Sequence, residues 1–255
     1  MKNSEIFAKK MTFNFQKIKE NKVREINILK QNRSLIMAIE KKKKEGLIPI
    51  IAELKRMSPI EGRIRKIEPE RAGLEMEGGG ACAISILTCQ EFGGSLDDLM
   101  RVKEKVKIPV LRKDFIVDEF QIEQSYFAGA DAVLLIVSLL EEKTKKFVER
   151  THQLGMEALV EIHSEREIKF ALDSEARLIG INNRDLKTLK KDLATTEKLI
   201  PKTPKEKIIV AESGIESKED LMRVLRSGAK AVLIGTSIMK AKDIIQKVKE
   251  YVNAK

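Results

Sequence analysis

The sequence predicts an α/β fold, a (β/α)8 TIM barrel, with an extra helical extension before its first strand. Three observations predict it. Eight short runs rich in Ile, Val and Leu recur along the 255 residues. Each is nearly continuous in hydrophobicity, as parallel strands covered on both faces are. Charged stretches of helical length separate them. Gly-Ala-Asp-Ala at 129–132 and Gly-Ala-Lys-Ala at 228–231 both stand between a helix and the next strand, which suggests a repeated βα unit. Eight such units close naturally into a barrel, for which about 250 residues is typical. The alternative, a doubly wound open sheet, usually shows a glycine-rich loop after its first strand. Here that loop reads Arg-Met-Ser-Pro.

Residues 1–46 are expected to form the extension and 47–255 the barrel, as one domain overall. In 18–44, Ile26, Leu29, Ile36 and Ile39 recur at roughly helical spacing, so one or two helices should pack on the barrel. The strand candidates are 48–54, 81–87, 109–113, 132–137, 158–162, 178–182, 208–212 and 231–235. The clearest helices are 119–127, 141–154 and 218–227. Ser217 is a plausible N-cap of the last, with Asp220 three positions on. Gly129, Gly155 and Gly228 follow these helices, where a C-terminal glycine is expected.

Charge is unevenly spread. Residues 1–46 hold 13 Lys/Arg and 5 Asp/Glu, a net of +8, so the remaining 209 residues carry only +2 of the total +10. A nucleic-acid surface would mix basic residues with stacking aromatics. The extension has only Phe7, Phe13 and Phe15, and the chain has no Trp. A solvated helical face is the favoured reading, with no nucleic acid and no membrane as partner. Cys82 and Cys89, seven residues apart and without a CxxC, are expected to be free thiols in a reducing compartment. No apolar run reaches the ~18 residues of a membrane span, and no signal-peptide core opens the chain, so a cytoplasmic location is expected.

Active-site groups of such barrels sit at the C-terminal ends of strands. Strand one ends Ala-Glu-Leu-Lys, which puts Glu53 and Lys55 on the face of Ile51. Strand three puts Lys113 with Leu111, and strand five Glu161 with Leu159. Strand six ends in Asn182 and strand seven in Glu212 and Ser213. An ionisable group ending a buried apolar strand is costly without a purpose or partner. Five strands together indicate acid–base chemistry at one mouth, the charges shifting one another's pKa values. After strands seven and eight, Gly214, Gly235 and Thr236 are candidates to hold a phosphate, since these loops frequently do so in barrels. The only histidines, His152 and His163, have no metal-ligand spacing, and His163 is read as a rim or surface residue. Neither metal nor cofactor is expected. No nucleophile elbow or Walker loop occurs.

The segments IIAELKRMSPIEGRI (50–64), FGGSLDDL (92–99), PVLRKDFIVDEFQI (109–122), GMEALVEIHSE (155–165), GINNRDLKT (180–188), VAESGI (210–215) and AVLIGTSIMK (231–240) resemble the indole-3-glycerol-phosphate synthase family of tryptophan biosynthesis. The matching segments span the barrel in order. The resemblance implies closure of the indole pyrrole ring. The phosphosugar substrate is 1-(2-carboxyphenylamino)-1-deoxyribulose 5-phosphate, and CO2 and then water leave without a cofactor. It implies Lys113 as general acid on the ketone oxygen and Glu161 in the later proton transfer of dehydration. Lys55 is then a second cation that holds an anion or also acts as an acid. Glu53, Asn182 and Glu212 orient these groups, with Ser213 nearby. Ser58, Gly214, Gly235 and Thr236 hold the phosphate, with Arg184 beside the mouth, and Phe92, Phe115, Leu134 and Leu186 shelter the anthranilyl ring. One departure stands out. Two adjacent aromatics are frequent in the family after strand two, in a slightly longer loop, and here Phe92 stands alone.

Two other readings compete with this one. Another phosphosugar barrel, such as phosphoribosylanthranilate isomerase, would share the phosphate loops but put Cys at the end of strand one. A basic RNA- or membrane-binding protein would use residues 1–46, against the near-neutral body. A monomer or weak oligomer is expected.

Overall fold

The computed structural model describes residues 33–58, 62–185 and 188–255. Eight strands pair in parallel and close into a barrel. They are β1 (Ile50–Leu54), β2 (Ala83–Leu87), β3 (Val110–Lys113), β4 (Ala132–Ile136), β5 (Glu157–Ile162), β6 (Leu178–Asn182), β7 (Ile208–Glu212) and β8 (Ala231–Ile234). All eight candidates are strands, two with the expected bounds and six with an end displaced by one or two residues. Pro109 has no N–H to give, so β3 starts after it, although its carbonyl still accepts from Ile84 N. Beyond β1, Met57–Ser58 and Gly62–Arg63 make a small antiparallel ribbon.

The helices are α1 (Leu35–Lys44), α2 (Pro69–Gly78), α3 (Leu96–Lys105), α4 (Glu119–Phe127), α5 (Val137–Leu140), α6 (Thr144–Gln153), α7 (Glu165–Asp173), α8 (Ala194–Leu199), α9 (Lys218–Arg226), α10 (Thr236–Lys240) and α11 (Ile244–Val252). Ser217 and Asp220 form a reciprocal capping box on α9. The helix expected over 141–154 is shorter. Glu141 takes φ 46, outside helical geometry, and a 3-10 turn precedes α6.

Alternation and register stack the inward side chains in layers of four from alternate strands. Ala83, Ala132, Leu178 and Ala231 lie lowest, then Ile51, Leu111, Leu159 and Val210. Ser85, Leu134, Gly180 and Leu233 form the third layer. The fourth comes from the odd strands and is Glu53, Lys113, Glu161 and Glu212.

Leu35, Ile36 and Ile39 of α1 are buried and join the barrel's inner apolar cluster. Ser34 caps α1, and Glu157 accepts both Ser34 Oγ (2.6 Å) and Ile36 N (3.0 Å). A carboxylate at a helix N-terminus is favourable for its charge and its acceptors. Nearby, Lys103 and Asp131 form a fully buried ion pair at 2.5 Å, and Asp131 also accepts from Val110 N and Arg33 N. Ile26 and Leu29, expected to share the helical face, lie outside the described residues.

Candidate active site

The charged layer is a connected group. Lys113 Nζ lies 3.0 Å from Glu161 Oε2 and 3.4 Å from Glu212 Oε2. Both carboxylates are 1% exposed, and the Lys113 side chain is 13% exposed toward the mouth. Lys55 Nζ stands 3.6 Å from Glu53 Oε1, one step higher on the same strand face. The outward neighbour Arg112 points away, into Gln121 O, Ser125 and Asp114. Strand alternation alone separates a structural arginine from an inward lysine.

Burial opposes the charge on Lys113, but Glu161, Glu212 and Glu53 outweigh it and hold this ammonium above the usual lysine range. Burial also opposes ionisation of Glu161, but Lys113 and His163 outweigh it and hold its carboxyl below the ordinary range. Glu212 goes the other way. Burial, joined by the Glu161 and Glu53 charges, pushes it up to about 8 against the pull of Lys113. Neither Glu212 oxygen has an aligned hydrogen-bond partner among the described residues. Two chemically identical groups around one lysine are therefore pushed in opposite directions, as acid–base sites require.

Above this layer opens a cavity of about 1050 Å³, including the space open at its mouth. Every described candidate lines it: Glu53, Lys55, Ser58, Phe92, Lys113, Phe115, Leu134, Glu161, Asn182, Arg184, Glu212, Ser213, Gly214, Gly235 and Thr236. Leu186 lies outside the described residues. Leu134 is buried in the layer beneath the charges, whereas Phe115 is exposed at the rim. Ser213 and Gly214 both have positive φ (64° and 79°), and Gly235 and Thr236 open the short helix α10. Gly235 has a second reason to lack a side chain. A Cβ there would come within 2.6 Å of Glu53 Oε1.

Several contributors were not read from the sequence. His163 is not a surface residue. Its Nε2 lies 3.2 Å from Glu161 Oε1, and its Nδ1 3.6 Å from Glu167 Oε2. Gly180 makes room for Glu212, since a Cβ would meet Oε1 at 2.1 Å. A glycine inside a buried strand was the available signal. Asn183 donates to Glu212 O and Ser213 O and accepts from Thr196, which ties the loop after β6 to that after β7. Tyr251 of α11 joins Glu216 O and Ser237 Oγ through its hydroxyl, linking the loops after β7 and β8. Arg56 reaches Gly93 O and Asp98, holding the loop after β1 to that after β2. No cluster suited to a metal occurs among the described residues, and none of their helices is long and apolar enough to cross a membrane.

Residues 1–251 match the family model described as "Indole-3-glycerol phosphate synthase". A relative of that name from Methanocaldococcus jannaschii is 50% identical over 232 residues, covering 89% of this chain and 86% of that protein. One from Acetivibrio thermocellus is 47% identical over 212 residues, 82% of each. Among solved structures, an N-acetylmannosamine-6-phosphate 2-epimerase from Clostridium perfringens superimposes with TM-score 0.61. It is 16% identical, over 78% of this chain and 91% of that one. A thiamine phosphate pyrophosphorylase from Pyrococcus furiosus gives 0.60 at 18% identity, over 80% and 93%. These two share the fold.

Proposed function

We propose, from the premise that the chain belongs to the indole-3-glycerol phosphate synthase family, a division of labour among the residues of its charged layer. The enzyme is a carboxy-lyase of tryptophan biosynthesis. It closes the pyrrole ring of 1-(2-carboxyphenylamino)-1-deoxyribulose 5-phosphate with loss of CO2 and water. The observation that carries the division is Lys113, a buried ammonium held by Glu161 and Glu212 and open to the cavity.

Attack of the anthranilate ring carbon on the ketone puts negative charge on its oxygen. A preorganised ammonium stabilises that charge and supplies the proton. Lys113 takes this role. Departure of CO2 restores aromaticity. Dehydration then needs a proton for the leaving hydroxyl and an acceptor for a carbon-bound proton. Glu161, in contact with Lys113, serves in this transfer. Glu53 steadies Lys55, whose charge faces an anionic part of the substrate. Glu212 and Asn182 complete the polar wall.

Ser58, Ser213, Gly214, Gly235 and Thr236 receive the phosphate, the last four from the loops after β7 and β8 that commonly do so. Arg184 stands beside them, its side chain donating to Leu189 O. Phe92, Phe115 and Leu134 shelter the anthranilyl ring, a role the family resemblance also gives to Leu186. We place the enzyme in the cytoplasm as a monomer or weak oligomer, on composition and its free cysteines. The test is to follow indole fluorescence with the carboxyphenylamino-ribulose phosphate as substrate. Absence of product with folded protein would overturn the reading.

A further inference from the structure

Each turnover consumes one proton. The substrate carboxylate leaves as neutral CO2 and water departs as H2O, so charge balances only if one H⁺ is taken from solvent per substrate converted. A substrate filling the mouth stands between the charged layer and bulk water. A proton drawn in while substrate is bound then needs another way in.

His163 stands on one. It follows β5 directly, with its side chain 11% exposed. Its Nε2 is 3.2 Å from Glu161 Oε1, on the side opposite Lys113's contact with Oε2. It does not line the main cavity. It lines a second cleft of about 660 Å³ with Ser164, Glu165, Thr195, Lys198 and Lys202. Glu167, partly exposed, lies 3.6 Å from Nδ1 and is fixed by His163 N (2.8 Å) and Ser164 Oγ (2.9 Å). Both ring nitrogens are buried, and neither is aligned in a hydrogen bond at rest among the described residues.

We propose that His163 is a positioning and proton-relay residue, handing a proton to Glu161 and recovering it from the second cleft. The inference rests on the role given to Glu161 above. The Nε2–H bond breaks and an O–H bond forms on Glu161 Oε1, the electron pair staying on nitrogen. Rotation about Cβ–Cγ brings the bare nitrogen to the Glu167 side, where a proton from bulk water restores the imidazolium. Glu161 passes its proton to the leaving hydroxyl, and the carbon-bound proton released in the same dehydration returns to Lys113, which gave its own to the ketone oxygen.

The charged groups around the ring keep it protonated between turnovers, and the transfer to Glu161 occurs only as the leaving hydroxyl draws the proton onward. Glu161 on β5 faces Nε2, with Lys113 on β3 and Glu212 on β7 behind it. Glu165 and Glu167 on α7, Lys198 on α8 and Lys202 after it surround the cleft side. Burial opposes the ring's charge, but Glu161 and Glu167 outweigh it and raise its pKa to about 9. The relay is loaded at neutral pH.

The experiment compares wild type with His163→Gln. Loss of the relay should lower kcat about tenfold, less than the roughly 10²–10⁴-fold expected for loss of a positioned acid. KM should stay within about twofold, since the ring touches no substrate. The solvent deuterium isotope effect on kcat should grow, the alkaline limb near pH 9 should vanish, and added imidazole should restore turnover. Unchanged kcat, or a loss that imidazole does not restore and that leaves the isotope effect unchanged, overturns the relay. If His163→Gln does not fold, Glu167→Gln replaces it. Its alkaline limb should move to lower pH, and an unmoved limb overturns the relay. Failure of wild type itself to form the indole product would instead sink the functional reading.

Discussion

Replacing Lys113 by Met keeps the volume of the side chain and removes its charge. Glu161 and Glu212 then share the layer without their cation. At the observed 3.0 Å, the Lys113–Glu161 attraction is worth about 5 kcal/mol at an effective dielectric of ~20, before desolvation is counted. Removing one partner of a buried pair typically costs about 3–5 kcal/mol net. Protonation of the stranded carboxylates limits this at low pH. In wild type the carboxyl of Glu161 is held low, so its contribution is present above the unfolded value of roughly 4.3 and is lost as pH falls through the folded one. In the variant, burial without Lys113 raises Glu161 and Glu212, and stability is lost as pH rises through their new values. The stability gap should therefore narrow as pH falls from about 4 through the folded value of Glu161 and widen steadily toward pH 9. Urea unfolding across that range measures it. Turnover, followed by indole fluorescence at pH 7.5, should fall by roughly 10²–10⁴-fold. A gap that does not widen with pH refutes the electrostatic account. Turnover above about a tenth of wild type refutes the general-acid role.

Gly214→Asp should raise KM by about tenfold or more through repulsion of the phosphate, and an unchanged KM in steady-state kinetics would move the phosphate elsewhere. Gly180→Ala should cost about 1–3 kcal/mol by overpacking and lower kcat by displacing Glu212. Wild-type melting and turnover together would show that the layer tolerates the methyl group. Ile39→Ala should destabilise by about 2–5 kcal/mol while KM stays constant, because α1 meets the apolar interior beneath the charged layer. Calorimetry and a Michaelis plot separate the two effects.

The strand pattern was legible because each buried strand is a local event. A run such as 132–136 is apolar on both faces and announces itself without reference to its partners. The same alternation put Glu53, Lys113, Glu161 and Glu212 at inward strand ends one strand at a time. Where a signal depended on one backbone angle it was missed, as at Glu141, whose positive φ breaks the expected helix. The N-cap of α9 was readable because both partners lie within four residues.

The sequence by itself determined which strands end in charge and which residue types wait there. Only the tertiary structure decided that four odd strands bring those charges to one height, with Glu161 and Glu212 on the same lysine. It also decided that His163 belongs to the site, that Gly180 and Gly235 leave space for carboxylates, and that Lys103 and Asp131 pair in the dry interior. The reason is range. Periodicity assigns a face to each strand, but barrel register and closure set heights between residues 48 or more positions apart. Electrostatics in a buried site depends on those last few ångströms.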